Sequence, residues 1–244
     1  MNSFLRVIWN SLFNLTGLDI SFDTKYKDWS FYLIELKANY QVVKKMLAEK
    51  HLIPKEIAPG ETRLQIIGCE MRRVQNVGSY HEVSIQVSAE PFDESPGEKF
   101  VHLFLPVTTE AARWGGVDIY GFPKFIANID FEKDEDQTTC RLTSNKELIL
   151  EFRMDDKVGT KKQFIWEFYG NRKHQIIKTT FSLEGLILEE ESKQNVNLTL
   201  GTHEIADTLR ELLLSDEVIR AVIGHNLSGV LKKPVHIKSL VKAE

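Results

Sequence analysis

Apolar and polar residues alternate with a period of two along much of the chain, a period that predicts a protein built mainly of strands. Tyr80 to Ala89 shows the pattern best. His81, Val83, Ile85 and Val87 fall on one face, and Tyr80, Glu82, Ser84 and Gln86 on the other. Trp29 to Leu36, Thr62 to Met71 and Lys99 to Val107 are aromatic or branched runs of strand length. Beyond Phe131 further runs follow quickly: Thr138 to Thr143, Glu147 to Met154, Gln163 to Tyr169, Gln175 to Leu183 and Val196 to Leu200, with Lys233 to Val241 last. Turns such as Lys133 to Gln137 and Gly170-Asn171 separate them. Helical spacing predicts helices over Tyr40 to His51, Thr108 to Trp114 and His203 to Leu214. Val218 to Ile223 either extends that last helix or follows a break at Ser215-Asp216. The expected fold is α+β and mainly antiparallel β, one large sheet curled and closed on itself with a few flanking helices.

Residues 1–20 stand apart, because Phe4, Leu5, Ile8, Trp9, Leu12, Phe13 and Leu15 recur at helical spacing opposite a polar face. That face holds a single cation, Arg6, where a membrane-surface helix carries several, so packing on the domain or on a partner subunit is expected. Residues 21–244 are expected to form one domain, since no linker or internal repeat divides them.

Composition narrows the function classes. A chain of 244 residues, 42% hydrophobic and 27% charged, is ordinary for a globular protein with a substantial core. The formal net charge of −4 and the interspersed signs leave no basic field for nucleic acid, which is not expected as a partner. No run reaches the roughly 18 to 20 apolar residues of a membrane-spanning helix, and no signal peptide is expected. Cys69 and Cys140 form no CxxC or Cys-His cluster, so a reducing, cytoplasmic setting without metal is expected. No nucleotide motif is present, and no cofactor is expected.

The candidate chemistry lies at the chain's midpoint, in Tyr120-Gly121-Phe122-Pro123-Lys124. A rigid proline precedes a lysine that opens a strand-like segment, with Lys124, Ile126, Asn128 and Asp130 on one face and Phe125, Ala127, Ile129 and Phe131 on the other. Two readings are open to these residues alone: a solvated lysine, or a nucleophile. A lysine attacks only as the neutral amine, which apolar surroundings favour. Condensation with a ketone then gives an iminium that accepts electrons, and a carboxylate is needed to move protons. Glu82 is the candidate, on a face that is solvated unless a closed sheet turns it inward.

Two segments carry a family resemblance. Gly116 to Lys124 resembles the lysine segment of the acetoacetate decarboxylase family, and Gly78-Ser79-Tyr80-His81-Glu82 resembles its Gly-x-Tyr-x-Glu with the active-site glutamate. The likeness runs over most of the chain after about residue 29. It implies a β-sheet curled into a cone or barrel around the lysine, a homo-oligomer, and a Schiff base between Lys124 and a small keto acid. Lys124 and Glu82 are then catalytic, and Tyr80, Gln65, Trp29, Phe122 and Tyr120 are expected around the substrate. The departures are specific. Phe125 stands where the family's decarboxylases carry a second lysine, Val117 replaces an arginine, a second arginine is replaced near Trp29, and Gln65 replaces a glutamate. Losing the arginines removes cations that would hold a substrate carboxylate, so a lyase with an altered substrate is expected rather than acetoacetate decarboxylase itself. Its outcomes are decarboxylation or aldol and dehydration chemistry. The alternative, from another class, is a non-catalytic ligand-binding or interaction protein that kept the fold.

Overall fold

The computed structural model describes residues 23–172, 175–191 and 196–239. The amphipathic segment expected over residues 1–20 lies outside them. The chain opens with β1 (Thr24–Asn39), α1 (Tyr40–Ala48), β2 (Glu56–Ala58), β3 (Glu61–Val74), β4 (Gly78–Ser88) and β5 (Glu98–Val107). A short α2 (Glu110–Trp114) runs into a π-helical turn over Gly115–Ile119, followed by β6 (Lys124–Ile126) and β7 (Asn128–Lys133). Next come β8 (Gln137–Ser144), β9 (Glu147–Asp155), β10 (Thr160–Arg172) and β11 (Gln175–Glu191). The last elements are β12 (Asn197–Leu200), α3 (Glu204–Leu212), β13 (Leu213–Leu231) and β14 (Val235–Ser239).

Strands β1, β13, β11, β10, β5, β4 and β3 pair in that order, and β3 pairs back onto β1, closing a barrel. Closure leaves little open edge on these long apolar strands. All of its pairings are antiparallel except β10 with β5, which run parallel from Trp166 opposite Glu98 to Tyr169 opposite Val101. The fold is therefore mainly antiparallel, as expected, with one parallel seam in the barrel and a short parallel pairing of β6 with β5 beside it.

Two apolar cores lie on the two sides of the barrel wall. Inside are Trp29, Phe31, Leu33, Ile67, Cys69, Phe100 and Trp166, among others. Outside, a four-stranded sheet ordered β12-β9-β8-β7, together with α1 and α3, packs on the wall. There Ile34, Leu36, Val83, Ile85 and Val87 meet Cys140, Leu142, Leu150 and Phe152 of that sheet, Val43 and Leu47 of α1, and Leu209 and Leu212 of α3. Strand β1 is consequently buried without interruption from Trp29 to Leu36, including Ser30 and Glu35. Gly68 marks the close approach of the two layers: a Cβ there would lie 2.8 Å from Cys140 Sγ.

The helix expected over His203 to Leu214 ends at Leu212, and Val218 to Ile223 belongs to a 19-residue strand rather than to any helical extension. The β-branched run Val218-Ile219-Arg220-Ala221-Val222-Ile223 bonds to β1 on one side and β11 on the other, and this pairing overrides the continued helical spacing of Leu213. Helix α1 starts where Asn39 caps it, its side chain accepting from the N–H groups of Gln41 at 3.0 Å and Val42 at 3.2 Å. Among the described residues no helix is long and apolar enough to cross a membrane.

Candidate active site

Lys124 reaches the barrel interior because of the turn before it. The π-helical turn carries the chain to Tyr120, and Phe122 N–H returns to bond Gly116 C=O at 2.9 Å. Gly121 takes φ of +65°, a left-handed conformation that favours glycine. Pro123 then delivers Lys124 into β6, which pairs parallel to β5 with Lys124 opposite Leu105. The lysine stem lies across Gly116, where a Cβ would sit 2.2 Å from Lys124 Cδ and 2.5 Å from Cε. Phe125, next along the strand, points the other way and packs into the outer core.

Glu82 comes from the polar face of β4. The barrel turns that face inward, so it lines a cavity rather than meeting bulk water. Lys124 Nζ donates to Glu82 Oε2 at 2.6 Å, with the two side chains only 7% and 12% exposed. The Tyr80 ring lies 5.4 Å from the same nitrogen, within range of a cation–π contact. Burial pushes the Tyr80 and Tyr26 phenols above their ordinary range. Cys69 also faces the cavity, and burial followed by the nearby Glu82 charge holds its thiol protonated.

Beyond the ion pair a polar column continues along one side of the barrel interior. His102 Nδ1 lies 2.9 Å from Ser84 Oγ, which donates to Gln86 Oε1 at 2.9 Å. Gln86 in turn donates to Gln65 at 2.9 Å, and Gln65 donates to Glu35 at 2.8 Å. Glu35 is paired with Arg63 at 3.1 Å and Arg220 at 3.6 Å. Because the single Ser84 proton goes to Gln86, His102 is assigned the tautomer protonated at Nδ1. Burial, and secondarily the Lys124 charge, lower the His102 pKa from about 6.5 to about 3.

The cavity measures about 700 Å³. Of the residues expected at the site, Lys124, Glu82, Tyr80, Trp29, Tyr120 and Phe122 all line it. Tyr120 bonds Thr24 Oγ1 through its hydroxyl at 2.8 Å. Gln65 does not line the cavity; it is 1% exposed and sits behind Gln86, which does. Sequence reasoning passed over His102, Trp166, Phe168 and Phe181, which also form the wall. Trp166 and Phe168 stand two apart on β10, and that spacing was their available signal.

A sequence model described as "Acetoacetate decarboxylase (ADC)" matches residues 36–236. The chain belongs to the acetoacetate decarboxylase family. Solved structures agree on the fold. The acetoacetate decarboxylase of Legionella pneumophila subsp. pneumophila str. Philadelphia 1 is 15% identical with a TM-score of 0.65, over 88% of this chain and 87% of that one. The enduracididine biosynthesis enzyme MppR, solved with pyruvate, is 12% identical with a TM-score of 0.65, over 90% and 91%. An acetoacetate decarboxylase-like enzyme from Sphingomonas wittichii RW1 is 10% identical with a TM-score of 0.60, over 90% and 94%. Comparison with curated protein sequences finds no match.

Two outcomes follow for this member of the acetoacetate decarboxylase family. Gly116→Ala should destabilise by about 1–3 kcal/mol in denaturant unfolding, because the new methyl overlaps the lysine stem. Gly115→Ala, whose Cβ would meet nothing within 4 Å, should be neutral or stabilising; equal losses for the two would contradict the packing described. The second outcome concerns acid. The folded pKa of His102 lies below its ordinary value, so the unfolded chain takes up the proton first. Its contribution is complete above pH of about 6.5 and is lost as pH falls toward about 3. Thermal unfolding from about pH 7 down to about pH 4 should therefore fall more steeply in the native protein than in His102→Gln. Parallel slopes would count against the buried neutral imidazole.

Proposed function

We propose that this protein is a Schiff-base-forming carbon–carbon lyase, with Lys124 as nucleophile toward a keto substrate and Glu82 as the group that moves protons. The observation that carries the reading is the 2.6 Å contact between Lys124 Nζ and Glu82 Oε2 inside a largely apolar cavity. A carboxylate in direct contact with the amine supports each proton transfer the chemistry requires. With the ammonium proton passed to Glu82, the amine adds to the carbonyl carbon and an N–H proton moves to oxygen. Glu82 then returns its proton to the carbinolamine hydroxyl, which leaves as water, and the iminium remains. From the iminium a β-carboxylate departs as carbon dioxide, or Glu82 removes an α-proton to give the enamine of aldol and dehydration chemistry. The MppR structure with pyruvate concerns a relative in fold whose ligand carries a ketone carbonyl, the group that Lys124 is proposed to attack here.

Of the two branches, the surroundings favour α-proton removal. Glu82 is the carboxylate beside the amine, and among the described residues no arginine lines the cavity to hold a substrate carboxylate. His102, neutral near pH 7, offers no cation either.

Exchange of α-protons for deuterium tests the assignment without knowledge of the physiological substrate. In deuterium oxide the protein should catalyse exchange at the α-carbons of simple ketones, followed by proton NMR. Lys124→Arg keeps the charge but forms no imine, and should abolish the exchange. Glu82→Gln should slow it by about 10²–10⁴-fold. Exchange that survives Lys124→Arg at the native rate would contradict the proposal.

A further inference from the structure

The wall of the cavity constrains its occupant beyond what the ion pair requires. Among the described residues, the charged side chains on the lining are Asp23, Glu82 and Lys124, two carboxylates to one ammonium. Asp23 accepts from Lys232 at 2.9 Å, and Glu82 already holds Lys124. Arg63 and Arg220 are engaged with Glu35, behind Gln86 and Gln65, and do not line the cavity. A substrate carboxylate would meet no cation on the lining except the lysine it must react with. Desolvating an anion without a partner is strongly unfavourable.

The same wall is rich in aromatic surface. Trp29 and Phe181 lie with ring centroids 5.5 Å apart, and Trp166 stands 6.5 Å from both Phe181 and Phe168. Met71 adds a side chain that adapts to the shape of its contacts. The volume of about 700 Å³ falls in the range that encloses drug-sized ligands, and pyruvate would leave most of it empty.

We propose that the site takes a neutral ketone or aldehyde bearing an aromatic ring or a long alkyl chain, its carbonyl at Lys124 and its apolar body against the Trp29, Trp166, Phe168 and Phe181 wall. The fate of the carbonyl rests on the Schiff-base reading above; the preference for an apolar body rests on the lining alone. Condensation releases water and leaves the iminium on Lys124, and transfer of an α-proton to the Glu82 carboxylate gives the enamine. No oxidant or further reactant is needed for these steps.

Trp29, Trp114 and Trp166 all line the cavity, so intrinsic fluorescence reports its occupancy. Benzylacetone, acetoacetate and pyruvate would be titrated into the native protein and into Lys124→Met, which forms no imine. Benzylacetone is expected to half-saturate the emission change at a concentration at least about tenfold below either acid, in both proteins. Should the variant not fold, the ranking in the native protein decides alone. Binding of acetoacetate or pyruvate as tight as that of benzylacetone, or tighter, overturns the proposal. Apolar selectivity in both proteins without α-proton exchange of benzylacetone by the native one would contradict the Schiff-base reading and leave the apolar specificity supported.

Discussion

An ammonium and a carboxylate held 2.6 Å apart inside an apolar barrel are the constraint around which the site is arranged. Such a pair is costly to desolvate, and removing one partner from a buried pair typically costs about 3–5 kcal/mol. The surrounding structure is built to hold both groups. Glu82 sits on a barrel strand bonded to β3 on one side and β5 on the other. Lys124 is fixed by the strand β6, by the turn through Gly116 to Pro123, and by a glycine whose missing side chain leaves room for the lysine stem. Closure of the barrel makes the placement durable, because β4 and its neighbour β3 are both paired on two sides.

The second core outside the wall serves the first. A sheet buried on both faces cannot slip by one residue without sending Glu82, Ser84 and Gln86 into the outer apolar layer, so the register of β4 is strongly specified. The polar column from His102 to Glu35 works in the same direction. Each member satisfies its neighbour, and a shift of one strand would leave buried donors or acceptors without partners.

Much of this arrangement was legible in the sequence, where the signal is local. The alternation of β4 separated Glu82 from Val83 correctly, and the lysine segment marked the residue that the fold brings against Glu82. What could not be read depends on partners distant in the chain. Strand β13 begins at Leu213, directly after a helix and with helix-compatible spacing, and only its pairing with β1 and β11 makes it a strand. The parallel seam between β10 and β5 joins Trp166 to Glu98 and Tyr169 to Val101, far apart in the chain and with no local signature. Near that seam Glu167 interrupts the aromatic run Trp166 to Tyr169, yet it is buried and paired with Lys99 at 3.3 Å and Lys178 at 3.4 Å. Alternation therefore puts Trp166 and Phe168 on one face, but with Glu167 buried on the other it does not say which face is the cavity's. Gly116 read as part of a motif, and its role as the floor under Lys124 emerges only when the turn is folded. Gln65 lies one residue behind the wall for a related reason: its amide is engaged by Gln86 and Glu35 before it can reach a ligand.

The central claim is that Lys124 is the group that bonds to a carbonyl, and reductive trapping tests it most directly. The protein would be incubated with a ketone, treated with sodium borohydride and digested, and the added mass located by peptide mass spectrometry. The account predicts a reduced adduct on Lys124 and none on that peptide from Lys124→Ala. An adduct confined to other lysines, or no adduct from a folded protein across apolar and anionic carbonyl compounds alike, would contradict it.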